Sequence, residues 1–357
     1  QKQRNILKTW LEIYRQVYNI TVKYFRTHKK IGKYKAQAKI RPKLARNKYL
    51  TGLIENSKMP AHTINNAIFD VLKAYKTAFS NLKNRNITHF RLRYKKFNKP
   101  TQILVLEPQV FNTSGTGLKN VQLTDLHPSK PISTQSNVRL QYNTRTKQFT
   151  LFIPAYMEYT NKLARYNRCA LDPGMRAFQT TYSDSGVCYQ IGTNKTNEII
   201  KKTLEKIESV SSRKKEKWYA KFANKRRERV KNIVTDLHWK TARFLCQRFD
   251  NILIGNMSTK GIIASNRSVL SAKSKRFCQA LSHFTFRERL KSKCEEFDVQ
   301  FRCVDESYTS KTCGACGELN EYLGGAKVFQ CSNNTCSYAM LRDIHGARNI
   351  LIKHTKK

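Results

Sequence analysis

Acidic residues are scarce in this sequence. Against 68 lysines and arginines stand only 24 aspartates and glutamates, which gives a formal net charge of +44 over 357 residues. An excess of one sign repels itself in a compact fold unless a polyanion neutralises it. Because the basic residues are spread along the whole chain, we expect a large nucleic-acid-binding surface.

Long hydrophobic runs are also lacking. No stretch of 18 apolar residues exists, which excludes a membrane-spanning helix of ordinary length. No secretion signal is visible in a chain that begins at Gln1, so we expect a protein that is not secreted and has no membrane partner. The 39% hydrophobic content still suffices for two or three domains with real cores.

The hydrophobic pattern changes twice along the chain and predicts a multidomain α+β protein. Residues 1–84 repeat apolar side chains every three or four positions, which predicts amphipathic helices. Residues 85–165 carry short β-like runs at 103–106, 137–142 and 148–153, which predict a small β-barrel-like domain. Residues 166–357 predict an α/β domain with three consecutive strands, a basic helical region over 195–249, two further buried strands and a last helix over 343–354.

Four of the ten cysteines form two close pairs. Cys313 and Cys316 are separated by two residues, and after fourteen more residues come Cys331 and Cys336. Two thiolate pairs on tight turns can converge tetrahedrally on one Zn²⁺, and four protein ligands leave no open position for chemistry. The spacing therefore predicts a structural zinc ribbon over residues 308–340, which should unfold when the ion is lost.

The other six cysteines stand singly among apolar residues, and we interpret them as small core residues of a protein in a reducing compartment. They are Cys169, Cys188, Cys246, Cys278, Cys294 and Cys303.

Two of the few acids occupy positions that favour metal chemistry. Asp172 ends the first strand of the α/β region, the place that holds the first metal ligand in an RNase H-like fold. Two Mg²⁺ ions bridged by carboxylates activate a water molecule and stabilise the leaving oxygen of a phosphodiester. Asp343 opens the last helix. The alternatives are an ordinary Asp-Pro-Gly turn at Asp172 and a helix cap at Asp343.

Three blocks of the C-terminal half resemble TnpB proteins, transposon-encoded nucleases related to the type V CRISPR effectors. They are LDPGMRAF at 171–178, YTSKTCGAC at 308–316 and RDIHGARNIL at 342–351. The resemblance implies a helical recognition domain (1–84), a β-rich wedge domain (85–165) and a RuvC-like nuclease domain (166–357) into which the zinc ribbon is inserted.

One departure from the TnpB pattern concerns the catalytic glutamate at the end of the fourth strand. Gly255 and Asn256 stand there, but Glu306 follows the next strand, and the ends of neighbouring strands lie roughly 5 Å apart. A glutamate relocated in this way resembles the Fanzor family, the eukaryotic and giant-virus relatives of TnpB. The resemblance implies a magnesium-binding catalytic triad of Asp172, Glu306 and Asp343, with Asp305 as the fallback for Glu306.

The family resemblance implies an RNA-guided DNA endonuclease. Its partners would be a guide (omega) RNA and a target double-stranded DNA with a short adjacent motif. Its cofactors would be structural Zn²⁺ and catalytic Mg²⁺, and it would be located in the nucleus. Two alternatives stay open: a DNA strand-transferase with the same metal chemistry, and a catalytically inactive regulator, which Gly255 favours. Arg176 and Arg342 are candidates for the scissile phosphate, Lys311 and Arg348 for other nucleic-acid contacts, and His345 for packing.

Overall fold

The computed structural model describes residues 2–28, 32–112, 117–118, 121–122, 134–155, 166–264 and 270–355. The chain divides into two compact units, Gln1–Tyr156 and Met157–Lys357. Among the described residues, no helix combines the length and the apolar character that crossing a bilayer requires.

The N-terminal unit begins with helices, as the sequence predicts. They are α1 (Lys2–Phe25), α2 (Lys33–Ala45), α3 (Lys48–Ser57) and α4 (Ala61–Lys83). Trp10, Tyr14 and Val17 of α1 are fully buried, so the three- and four-residue spacing marks a core face. Tyr18 is buried as well, whereas Tyr34 is 79% exposed.

The strands of this unit pack on the same core as its helices. Strands β1 (Thr101–Leu106), β4 (Val138–Asn143) and β5 (Gln148–Phe152) form an antiparallel sheet in the order β1-β4-β5, beside a short pair of β2 (Gly117–Leu118) and β3 (Val121–Gln122). Leu104, Leu106 and Leu140 join α1 and α4 in one hydrophobic cluster. The boundary after residue 84 is therefore a change of secondary structure within one compact unit.

The barrel predicted for 85–165 falls partly on residues 123–133 and 156–165, which lie outside the described residues. Barrel closure and separate recognition and wedge roles stay predictions.

A five-stranded mixed sheet organises the C-terminal unit. Its strands are β6 (Tyr166–Pro173), β7 (Gln179–Ser183), β8 (Cys188–Ile191), β9 (Phe249–Gly255) and β10 (Gln300–Val304), in the order β10-β9-β6-β7-β8. Strands β6, β7 and β8 are the predicted antiparallel meander, while β9 runs parallel to β6 and β10 parallel to β9.

The sequence predicts that both further strands of the α/β region are buried. This is wrong for the second of them, β10, which is an edge strand. Cys303 on β10 and Cys188 on the opposite edge strand β8 are exposed, so they are not the core residues that the sequence predicts. Edge strands have a neighbour on one side only. Cys169, Cys246, Cys278 and Cys294 are buried as predicted.

Helices cover both faces of this sheet. They are α5 (Asn194–Glu208), α6 (Lys217–Cys246), α7 (Thr259–Ala264), α8 (Ala272–Leu281), α9 (His283–Phe297) and α10 (Arg342–Thr355). Cys169, Leu171 and Ile254 face a core shared with α6 and α9, whereas Ala170 and Leu253 pack on α10. A two-stranded ribbon of β11 (Val328–Gln330) and β12 (Ala339–Leu341) precedes α10.

Candidate active site

Strand alternation directs Asp172 toward α10. Asp172 lies two residues after Ala170, which packs on α10, and side chains two apart share a face of the sheet. A Cβ atom added to Gly346 of α10 would come within 2.6 Å of Asp172 Oδ2. The helix thus reaches this close to the carboxylate because position 346 has no side chain.

Glu306 fills the place that Gly255 leaves open. Gly255 is paired with Val304 at the ends of β9 and β10, and Glu306 follows two residues later. A Cβ atom on Gly255 would overlap Glu306 Oε2. That oxygen is buried and has no hydrogen-bond partner among the described residues. A buried, unpartnered carboxylate oxygen is costly, and it is the kind of atom that a cation satisfies.

Asp343 lies in the first turn of α10 and pairs with the loop after β6. Arg176 Nη2 lies 3.4 Å from Asp343 Oδ1. Arg342 is engaged with the ribbon, since its Nη1 donates to the Gly324 carbonyl at 2.7 Å. Of the two candidate arginines, Arg176 therefore forms the ion pair with a carboxylate of the predicted triad.

The charges of Glu306 and Asp343 act on the buried carboxyl group of Asp172. Burial, followed by the charges of Glu306 and Asp343, raises the pKa of Asp172 to about 8, against the opposing effect of Arg342 and Arg176. Burial also raises the pKa of Glu306, although the Arg287 guanidinium opposes this. Without a counter-ion Asp172 and Glu306 resist ionisation, whereas a divalent cation would favour their charged forms.

The three acids do not form a compact cage for a single ion. Among the described residues, only the four clustered cysteines bring three or more ligand atoms within 4.8 Å of one another. Carboxylates set further apart would suit two ions, each held by part of the set.

Asp305, the fallback ligand, is engaged elsewhere. Its Oδ2 accepts from Lys353 Nζ at 2.6 Å, and its Oδ1 accepts from Ser307 Oγ at 2.7 Å. These contacts, the Lys353 bond first, lower the pKa of Asp305 to about 2. An exposed carboxylate with a cation of its own has no need of a metal, so the geometry favours Glu306 of the two neighbours.

The four clustered thiols form a second candidate metal centre. Sγ of Cys313 lies 3.9 Å from that of Cys336, and Sγ of Cys316 lies 3.5 Å from that of Cys331. Four sulfurs at about 2.3 Å from a tetrahedral Zn²⁺ lie roughly 3.8 Å apart. The donor type and the spacing therefore fit zinc.

Side chains of α10 hold the Cys313 knuckle. Asn349 Nδ2 donates to the Thr309 and Thr312 carbonyls at 2.8 and 2.7 Å. His345 is fully buried, as the packing interpretation expects, with Nε2 2.9 Å from the Thr312 carbonyl oxygen. Arg348 Nη1 donates to the Gly314 carbonyl at 3.0 Å. Arg348 thus stabilises the knuckle, a role that the sequence did not indicate.

Comparisons with known proteins show relatives of this chain. The family model described as the Cas12f1-like TNB domain matches residues 283–350. A TnpB-like protein of Acanthamoeba polyphaga mimivirus is 30% identical over 98% of this chain and 70% of its own length. The chain belongs to the TnpB-like family. A second TnpB-like protein of the same virus is 29% identical over 98% of this chain and 71% of its own length.

A solved structure resembles the fold of this TnpB-like chain. The structure of a Cas12f1–sgRNA–target DNA complex matches with a TM-score of 0.50 and 14% identity, covering 97% of this chain and 81% of that one. At this identity the likeness shows the fold alone, a multidomain α+β arrangement.

Sequence reasoning missed two residues that shape the sites of the TnpB-like chain, Thr309 and Asn349. Thr309 Oγ1 donates to the Glu306 carbonyl at 2.7 Å, and Asn349 in turn holds the Thr309 carbonyl. A signal was available for Asn349, since it lies six residues after Asp343, on a helix that already carried a candidate ligand.

Proposed function

We propose that this TnpB-like chain is an RNA-guided DNA endonuclease of the Fanzor type, in which Asp172, Glu306 and Asp343 hold two Mg²⁺ ions. The observation that carries the proposal is the Glu306 carboxylate, which overlies Gly255 where the TnpB resemblance expects an acid. The giant-virus origin of similar proteins supports the Fanzor assignment. A nuclear location stays a prediction.

The fold supports a nuclease of the RNase H-like type. A meander of three strands, with two parallel strands added beside the first, brings the end of β6 next to the end of β9. The ions, when bound, would activate a water molecule and stabilise the leaving oxygen of the phosphodiester. The carboxylates would hold the ions in place, and Arg176 is close enough to the triad to bind the scissile phosphate.

The charge of the chain supports nucleic-acid partners. A formal net charge of +44 favours polyanionic partners, and we propose a guide RNA and the target DNA. Base pairing would then read the target sequence, while the protein reads shape and a short adjacent motif. One Zn²⁺ on Cys313, Cys316, Cys331 and Cys336 would have a structural role.

The catalytically inactive alternative loses its main support. That alternative rested on Gly255 at the expected position of an acid, and Glu306 supplies a carboxylate at the same place. No feature of the described residues favours strand transfer over hydrolysis.

The test uses the full chain purified together with its RNA. Sequencing of the bound RNA should give one discrete species, and the complex should cut a matching plasmid in Mg²⁺ but not in EDTA. Glu306→Ala should lose at least about 100-fold in cleavage rate, since even indirect metal partners contribute 10–100-fold. The matched control Asp305→Ala removes the neighbouring acid, which pairs with Lys353, and should cut within a few-fold of the unmodified protein. Undiminished cleavage by Glu306→Ala would refute the assignment.

A further inference from the structure

The N-terminal unit contains a cavity of about 360 Å³ that the nuclease chemistry does not use. It lies among α1, α4, β1 and residues 95–99. Leu11, Tyr14 and Val105 provide apolar surface in its lining. The volume lies within the range of small-ligand sites, about 300–1,000 Å³.

Hydrogen bonds and an ion pair fix three of the lining residues, Tyr14, Asp70 and Lys95. Tyr14 Oη donates to Asp70 Oδ2 at 2.8 Å, and Lys95 Nζ lies 3.7 Å from the same oxygen. Lys95 Nζ also lies 4.1 Å from the centroid of the Tyr18 ring. The Asn19 amide holds the main chain of Lys95, donating to its carbonyl at 3.0 Å and accepting from its N–H at 2.8 Å. The cavity is therefore preformed.

The wall of the cavity carries an excess of positive charge. Lys73, Lys96, Lys99 and Arg139 line it, and among the described residues none of the four is within 4 Å of a carboxylate. Asp70 is the acid in the lining, and it is already engaged by Lys95 and Tyr14. Four cations around one concave surface repel one another, so the occupant should be an anion.

An exposed aromatic ring belongs to the segment that carries Lys96 and Lys99. Phe97 is 69% exposed, and the Arg15 guanidinium lies 5.8 Å from its ring centroid. Gln102, which lines the cavity, donates from Nε2 to the Phe97 carbonyl at 2.6 Å and so fixes the segment that carries the ring. An exposed ring among phosphate-binding cations suits the stacking of an unpaired base.

We propose that this cavity binds one unstacked nucleotide of a single strand, with its base on Phe97 and its phosphates beside Lys96, Lys99 and Arg139. Lys73 of α4 also lines the cavity and contacts the phosphates from that side. The site rests on the proposed function for its nucleic-acid occupant, although binding here needs none of the three acids of the candidate active site. A base held in a duplex cannot enter, because its faces are covered by its neighbours. The strand is RNA or DNA, since both present the same phosphates and base faces.

The test places a reporter in this segment, Phe97→Trp in the full chain, on an Asp172→Asn background that is expected to prevent cleavage. The probes are an oligouridine RNA, an oligothymidine DNA and a duplex DNA. A single strand should quench the added indole to saturation, and the duplex should not. Quenching by RNA alone assigns the site to the guide, and quenching by DNA alone assigns it to an unpaired target strand.

A matched pair of lysines on α4 separates the cavity from general charge. Lys73 lines the cavity, whereas Lys83 is an exposed residue at the end of the same helix. Lys73→Ala should weaken the affinity for the single strand, measured by quenching, about 3- to 10-fold. It should also reduce the slope of log K against log salt concentration by about 0.7. Lys83→Ala should change neither. Equal effects of the two variants, or single-strand binding by anisotropy without quenching, would overturn the proposal. Neither result bears on Glu306.

Discussion

Replacing Asp172 by asparagine should stabilise the metal-free protein at alkaline pH but not at acid pH. Burial and then the charges of Glu306 and Asp343 raise the pKa of this carboxyl group from 3.8 to about 8. In the unfolded chain the same group ionises near its ordinary pKa. The unfolded state therefore gains stability relative to the folded state as the pH rises from about 4 to about 8, and the difference stays constant above that.

The size of the effect follows from the pKa shift. At about 1.4 kcal/mol per pKa unit, a shift of about four units sets an upper limit of about 6 kcal/mol above pH 8. Part of the Asp172 surface remains accessible to solvent. Solvent screening reduces the repulsion, so we expect roughly half of that limit. In a unit of this size, 3 kcal/mol corresponds to a rise in Tm of roughly 5–10 °C.

The assay is thermal unfolding of the RNA-free protein in EDTA over a pH series. At about pH 8.5, Asp172→Asn should have a higher Tm than the unmodified protein, and the difference in Tm should vanish near pH 4. The control Asp305→Asn should be slightly less stable, because Lys353 favours the charged form of Asp305. Mg²⁺ should stabilise the unmodified protein and not Asp172→Asn. An asparagine variant with the same relative stability at both pH values would refute the reasoning.

Three further outcomes are expected. Cys331→Ser should reduce the zinc content from about one ion per chain to nearly none and unfold the ribbon, as measured by metal analysis and proteolysis; a folded ribbon without zinc would contradict this. Gly346→Ala puts a Cβ atom 2.6 Å from Asp172 Oδ2, so it should raise the Mg²⁺ concentration needed for cleavage, whereas Gly52→Ala, which meets no atom within 4 Å, should not. Asn349→Ala removes two hydrogen bonds to the knuckle and should slow cleavage about 10- to 100-fold at unchanged RNA content; a rate equal to that of the unmodified protein would show that Asn349 does not position Glu306.

Local patterns predicted the elements of this fold well. The spacing of apolar residues indicated α1 and α4, and the short β-like runs indicated β1, β4 and β5. The meander of β6, β7 and β8 was also predicted, because short β-like runs separated by turn residues favour antiparallel neighbours. The cysteine spacing indicated a ligand cluster, since close pairs on tight turns restrict where the thiols can lie.

Long-range packing was harder to predict. The exposure of Cys188 and Cys303 depends on which strands form the edges of the sheet, and this order is not visible in the strands themselves. The shared core of α1, α4 and β1 depends on contacts between segments far apart in the chain. The contact of Arg348 with Gly314 likewise requires the folded ribbon, so a basic residue there looked like one of many nucleic-acid contacts.

The most direct test of the relocated glutamate moves it back. Glu306→Ala should abolish guided cleavage. Adding Gly255→Glu to that variant should raise the cleavage rate at least about 10-fold above that of Glu306→Ala, because the side chain at 255 begins where the Glu306 carboxylate lies. Gly255→Glu alone should be impaired by overlap of the two side chains. If the double variant cleaves no faster than Glu306→Ala while folding and RNA content are normal, Glu306 does not take the place of the acid expected at the end of β9.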